Sequence, residues 1–211
     1  MDICIYGGSS AGVVAAYTAI KAGKTAVIIE PSGRVGGLSS GGLGMTDIGN
    51  KYVVTGLALD FYRKLGAYYG NLENWIFEPK VALFVFHEYI READINIVYN
   101  RQLIDVKKEN NSIKEITVTN LDESNGPQLK VKAKMFLDCT YEGDLMAMAG
   151  VSYTIGRENN NVYNETLNGV QFLTGHQFPD GVDPYKVKGD PSSGLLWGVN
   201  NETLKPNGTG D

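Results

Sequence analysis

The feature that most constrains this chain is the order strand, glycine turn, helix, strand within its first 30 residues. Ile3 to Tyr6 is a short apolar run that stops at Gly7. Gly12 to Ala22 is rich in alanine and valine and contains no proline. It is followed by Gly23, a glycine placed just past a helix end. Thr25 to Ile29 reads as a second buried strand, and its unbroken apolar run suits a parallel sheet covered on both faces. Together the pieces predict a compact βαβ unit whose second strand delivers Glu30.

Glycine is concentrated around this unit. Of 211 residues 26 are glycine, about 12% against a usual ~7%, and 11 of them lie in the first 50, which points to a site and not to a low-complexity chain. The first cluster is Gly7-Gly8-Ser9-Ser10-Ala11-Gly12. It aligns to G-x-G-x-x-G with Ser9 at the middle glycine. The outer glycines permit the tight turn and close helix–strand packing. The helix N-terminus beyond supplies amide donors for a pyrophosphate, and the Ser9 hydroxyl is a candidate donor to a phosphate oxygen. Glu30 follows 18 residues after Gly12, where a carboxylate accepts from both ribose hydroxyls and repels a 2′-phosphate, disfavouring NADP. Gly23-Lys24-Thr25 imitates the tail of a P-loop, but that motif needs glycine where Thr18 stands. The second cluster runs from Arg34 through Val35, Gly36, Gly37, Leu38, Ser39, Ser40, Gly41, Gly42 and Leu43 to Gly44.

Further along, Leu57 to Tyr69 and Val81 to Glu92 carry helical apolar spacing, with Pro79 suiting a helix start. Ile95 to Tyr99, Leu103 to Lys108, Ile113 to Asn120 and Gln128 to Ala133 alternate apolar and polar residues. They predict an inserted antiparallel β-meander over about 96–134. Met135 to Leu137 is an apolar run ending in Asp138-Cys139-Thr140-Tyr141-Glu142-Gly143-Asp144, with a further helix starting at Leu145. After Gly150 the periodicity fades. The expected division is a nucleotide-binding domain over 1–150 and the beginning of an incomplete substrate domain over 151–211.

The net charge of -5 and the lack of any Lys/Arg run argue against a nucleic-acid partner. No apolar stretch is long enough to span a bilayer. Met1 and Asp2 lead straight into a strand without a signal peptide, so the expected location is cytoplasmic. Cys4 and Cys139 read as core thiols, and no metal site is expected. His87, His176, Asp47 and Glu142 are polar candidates near or beyond the motifs, and none is assigned a catalytic role.

A resemblance separates NAD from FAD. Arg34 to Gly37 resembles the Arg-x-Gly-Gly segment that runs along the cofactor in flavoproteins of the glutathione-reductase type. Met135 to Asp144 resembles the strand-end motif that returns to the flavin, with Cys139 in place of the usual alanine. With Ile5 to Gly12, Gly36 to Gly44, Asp138 through Gly156-Arg157-Glu158, and Gly189 to Leu196, the chain resembles a bacterial FAD-dependent oxidoreductase family often labelled xanthan lyase. This implies an α/β fold: a Rossmann-like parallel sheet binding FAD, with the antiparallel insertion and the start of a substrate domain.

The resemblance also implies site residues. The turn from Gly7 to Gly12 would take the pyrophosphate, Glu30 and Pro31 the adenosine ribose, and Arg34 a phosphate charge. The backbone at Ile104 would meet adenine. Residues 36–44 with Cys139, Thr140, Gly143 and Asp144 would approach the rest of FAD, Asp144 either through a cofactor hydroxyl or only as a helix cap. The implied activity is flavin reduction by hydride from a small-molecule substrate, which could be carbohydrate-related. The alternatives are a polysaccharide lyase, as the label suggests, and a non-catalytic FAD-binding fragment. Family members continue past residue 211, so a C-terminal part of the same protein is an expected partner. Lys80 departs from relatives that often carry histidine there.

Overall fold

The computed structural model describes residues 1–121, 126–169 and 181–199. The chain divides into two compact units, Met1–Val151 and Ser152–Asp211.

In the first unit β1 (Ile3–Tyr6), α1 (Ser10–Lys21) and β2 (Ala26–Ile29) form the predicted βαβ unit. α2 (Gly37–Gly41), α3 (Gly56–Tyr68) and α4 (Pro79–Ala93) follow. Pro79 sits in the first turn of α4, where its missing N–H is no loss, and Asp94 ends the helix in the left-handed region at φ 51°. Next come β3 (Asn96–Val98), β4 (Arg101–Glu109), β5 (Ser112–Asn120), β6 (Leu129–Lys132), β7 (Met135–Asp138) and α5 (Asp144–Met148).

The parallel sheet has the order β3-β2-β1-β7. Its register sets Ile5 beside Ile28 and Leu137, and Tyr6 beside Ile29 and Asp138. Successive side chains on a strand point to opposite faces, and both faces here are covered. Ile5 and Ile28 pack with Val13, Ala16, Phe61, Leu65, Val85, Phe86 and Tyr89 under the helices. Cys4, Tyr6, Val27 and Ile29 pack with Leu103, Ile116, Val118 and Val131 of the antiparallel sheet β4-β5-β6. This double cover is why β1 and β2 are continuously apolar.

One boundary differs from the expectation. Asn96–Val98 does not open the meander: β3 pairs in parallel with β2, Ile97 opposite Ile28, and the antiparallel sheet begins at Arg101. The crossover helix α4 returns the chain to the same edge and direction as β2, and strand alternation over three residues says nothing about which partner is met.

In the second unit β8 (Tyr185–Val187) and β9 (Asp190–Leu195) form an antiparallel hairpin. Among its described residues no hydrophobic side chain is fully buried, and Trp197 is 99% exposed. His176 lies outside the described residues. No helix among the described residues is long and apolar enough to cross a membrane, and no cluster of metal-ligating side chains occurs among them.

Candidate cofactor site

The C-terminal ends of β1, β2 and β7 converge on one crevice. The chain leaves β1 toward β2 on one side, and β7 lies on the other, so the crevice is a topological switch point, the place where open α/β sheets bind ligands. A cavity of about 340 Å³ lies there. Its walls are Gly7 and Ser9 after β1, Glu30 to Ser32 with Arg34 after β2, Gly37, Leu38 and Gly41 of α2, and residues 139–142 after β7.

The turn after β1 is fixed by close approach. Gly7 has φ +98°, and a Cβ on it would stand 2.7 Å from the Cys139 carbonyl carbon. A Cβ on Gly12 would overlap the Gly7 carbonyl oxygen. Ser9 is the N-cap of α1: its Oγ accepts the Gly12 N–H at 3.4 Å. The same hydroxyl donates its one proton to the Cys139 carbonyl at 2.7 Å. The expected donation from Ser9 to a phosphate therefore has no proton available in this geometry; the hydroxyl stitches the β1 turn to the β7 turn instead. Ser10 and Ala11, first in α1, have N–H groups with no acceptor among the described residues. Their side chains, with Ser39, line a separate apolar cavity of about 290 Å³ beside Leu57, Phe61 and Phe86.

Glu30, at the end of β2, is only 8% exposed yet lines the cavity. One carboxylate oxygen accepts the Gly8 N–H, and the other accepts the Ser32 N–H at 2.7 Å. Two backbone amides thus orient the carboxylate, and each oxygen keeps a lone pair for a further donor. Ser32 Oγ accepts the Arg34 N–H at 3.2 Å and donates to the Arg34 carbonyl at 3.0 Å, closing the 30–34 segment into a small knot that includes Pro31. The Arg34 guanidinium reaches Gly41, where a Cβ would lie 3.2 Å from its Nη2. It forms no ion pair among the described residues.

The second glycine cluster splits. Gly36, at φ +91°, gives way to the Phe86 ring, and Gly37, at φ +54°, gives way to the Tyr141 hydroxyl. The Leu38 N–H donates to that hydroxyl at 2.8 Å. Gly42, at φ +140°, faces open space, Leu43 is exposed, and Gly44 packs on the Phe77 carbonyl. These last three are not in the cavity wall: the Phe77 N–H donates to Gly44 O at 2.7 Å, and Met45 pairs with Ile76.

After β7, Asp138 organises the turn. Its Oδ1 accepts from Thr140 N (3.0 Å) and Thr140 Oγ1 (2.6 Å), and its Oδ2 accepts from Met146 N at 2.8 Å. Thr140 Oγ1 in turn accepts the Gly143 N–H at 3.0 Å, and Gly143 turns at φ +72°. The capping role considered for Asp144 is thus filled by Asp138. Asp144 is the first residue of α5, makes no cap hydrogen bond and lies exposed outside the cavity wall. Glu142 does line the cavity.

Burial, and then the Asp138 charge, push the Cys139 thiol up, and burial pushes the Cys4 thiol up to about 12; both stay protonated at neutral pH.

Other expected positions lie elsewhere. Ile104 falls at a β-bulge of β4 with no partner residue on β5 and is 39% exposed. The neighbouring Leu103 N–H donates to the Tyr6 hydroxyl at 3.0 Å. His87 is half-buried in α4, and Asp47 is exposed in a loop; neither lines the cavity. Lys80 is exposed and pairs with Glu78 at 3.1 Å. The hydrogen-bonding roles of Tyr141, Ser32 and Asp138 are not legible in the sequence, because each acts through groups that only the folded turn brings near.

The family model described as FAD dependent oxidoreductase matches residues 2–203 of the chain. Solved structures share the fold. L-proline dehydrogenase from P. horikoshii has 16% identity and a TM-score of 0.54, with 74% of this chain covering 57% of that one. THI4 from Thermovibrio ammonificans has 19% identity and a TM-score of 0.50, with 75% covering 66%. A flavoprotein/dehydrogenase from Cytophaga hutchinsonii has 16% identity and a TM-score of 0.52, with 74% covering 43%. The chain therefore spans less than two thirds of each of these proteins, and the xanthan lyase label has no counterpart among them. No curated protein sequence matches the chain.

Proposed function

The chain belongs to the FAD dependent oxidoreductase family, and on that premise we propose that its first unit holds FAD in the crevice above β1, β2 and β7. The observation that carries this reading is Glu30: a carboxylate oriented by two backbone amides in the same cavity as the glycine turn. Its open lone pairs suit the ribose hydroxyls of a dinucleotide, and its charge disfavours a 2′-phosphate. The Ser10 and Ala11 amides, at the positive end of α1, suit the pyrophosphate. Arg34 supplies a cation that no carboxylate among the described residues has claimed. The 139–142 turn, pinned by Asp138, gives the crevice its far wall.

The chemistry that bound FAD supplies is hydride acceptance from a substrate C–H or N–H bond. The role of this chain's residues is to bind, orient and shield. The substrate in this reading is a small molecule. The lyase alternative gains nothing from the cavity, whose carboxylate is tied into a dinucleotide turn.

The test is the visible absorbance of the purified full-length protein. Flavin bands are expected, either as isolated or after adding FAD. A colourless protein that ignores added FAD contradicts the reading.

A further inference from the structure

Tyr141 stands in the cavity wall 58% exposed, and its hydroxyl is half used. The oxygen accepts the Leu38 N–H at 2.8 Å, while the proton has no acceptor among the described residues. A tyrosine hydroxyl is both donor and acceptor, so one bond remains open toward the cavity. Gly37 gives way to this hydroxyl, and Gly41 gives way to the Arg34 guanidinium, which is likewise without a partner among the described residues. The two glycines are the first and last residues of α2, about 6 Å apart along a helix at 1.5 Å per residue. Two unspent donors, one charged and one neutral, therefore flank a short helix in the same cavity, with the Glu30 acceptor on another wall.

From this arrangement we propose that Tyr141 is a ligand-binding residue: its hydroxyl donates to an oxygen of the bound dinucleotide's pyrophosphate, as the neutral partner of Arg34. The polarity of the cavity, donors at α2 and an acceptor at Glu30, suits a molecule with an anionic stretch next to sugar hydroxyls. The bond to Leu38 strengthens the role, because accepting a hydrogen bond makes the same hydroxyl a better donor. The inference rests on the cavity being the dinucleotide site.

The experiment compares Tyr141→Phe with wild type in the full-length protein stripped of flavin, using FAD, ADP and adenosine as probes. Loss of a hydrogen bond to a charged group predicts FAD and ADP affinities about 10-fold weaker or more, adenosine affinity within twofold, and a moved ³¹P resonance of bound FAD. Unchanged FAD and ADP affinities overturn the proposal; if Glu30→Ala still weakens FAD, the cofactor site itself stands. Insensitivity of both variants would instead sink the cofactor site. Equal loss of ADP and adenosine would mean that Tyr141 only braces α2, and that too overturns the contact. If the phenylalanine variant does not fold, 3,5-difluorotyrosine at position 141 keeps the ring and both roles. The ³¹P resonance of bound FAD should then shift as the fluorinated phenol ionises, and a spectrum flat across that titration overturns the proposal.

Discussion

Gly7 to Gly12 and Gly36 to Gly44 are both rich in glycine, yet the fold uses them differently. In the first cluster Gly7 and Gly12 clear backbone from backbone, Gly12 against the Gly7 carbonyl and Gly7 against the Cys139 carbonyl, so the β1 turn and the β7 turn close one cavity wall, while Gly8 between them clears the Glu30 carboxylate. In the second cluster Gly36, Gly37 and Gly41 clear side chains, the Phe86 ring, the Tyr141 hydroxyl and the Arg34 guanidinium, while Gly44 clears the Phe77 backbone in a packing contact outside the cavity wall. Glycine density marks where chain segments come close. The atom on the other side decides whether the closeness serves a ligand or the core.

Substitutions can break this contrast. The largest effect is expected for Gly12→Ala. Its methyl would enter the Gly7 carbonyl, which is backbone and cannot swing aside, so a loss of about 3 kcal/mol or more is expected in chemical denaturation, together with FAD binding. Gly44→Ala meets backbone as well and should lose about 1–3 kcal/mol. The folded fraction, however, should bind FAD like wild type in a fluorescence titration. If Gly44→Ala weakens FAD as strongly as Gly12→Ala, the contrast between the clusters is wrong. The smallest effect is expected for Ser9→Ala, which removes the cap of α1 and the link to Cys139 for about 1 kcal/mol of stability. FAD affinity should change little, since the Ser9 proton is already committed; a large loss of affinity with stability intact would restore a direct phosphate contact.

Much of this fold could be read from sequence where the signal is local. β1 is placed at the residues expected for it, and α3 and α4 begin and end within two residues of their apolar patterns, because burial on one helix face is written into spacing. What escaped is long-range. The pairing of β3 with β2 depends on where α4 returns the chain. The acceptor of the Ser9 proton is 130 residues away, and the donor to the Tyr141 hydroxyl is 103 residues away. Position next to the helix start makes Asp144 a candidate cap, but the 139–143 turn folds Asp138 back onto Met146. The place of Glu30 is legible because a strand end fixes where its side chain emerges, although the amides of Gly8 and Ser32 that hold it appear only in the folded turn.

The account turns on Glu30 as the acceptor at the ribose of FAD, and the most direct test is the FAD dissociation constant of full-length wild type against Glu30→Ala, with stability measured in parallel. Loss of charge-assisted hydrogen bonds worth about 1.5–3 kcal/mol predicts FAD binding weaker by about 10- to 150-fold. A folded Glu30→Ala protein that binds FAD as tightly as wild type would contradict it.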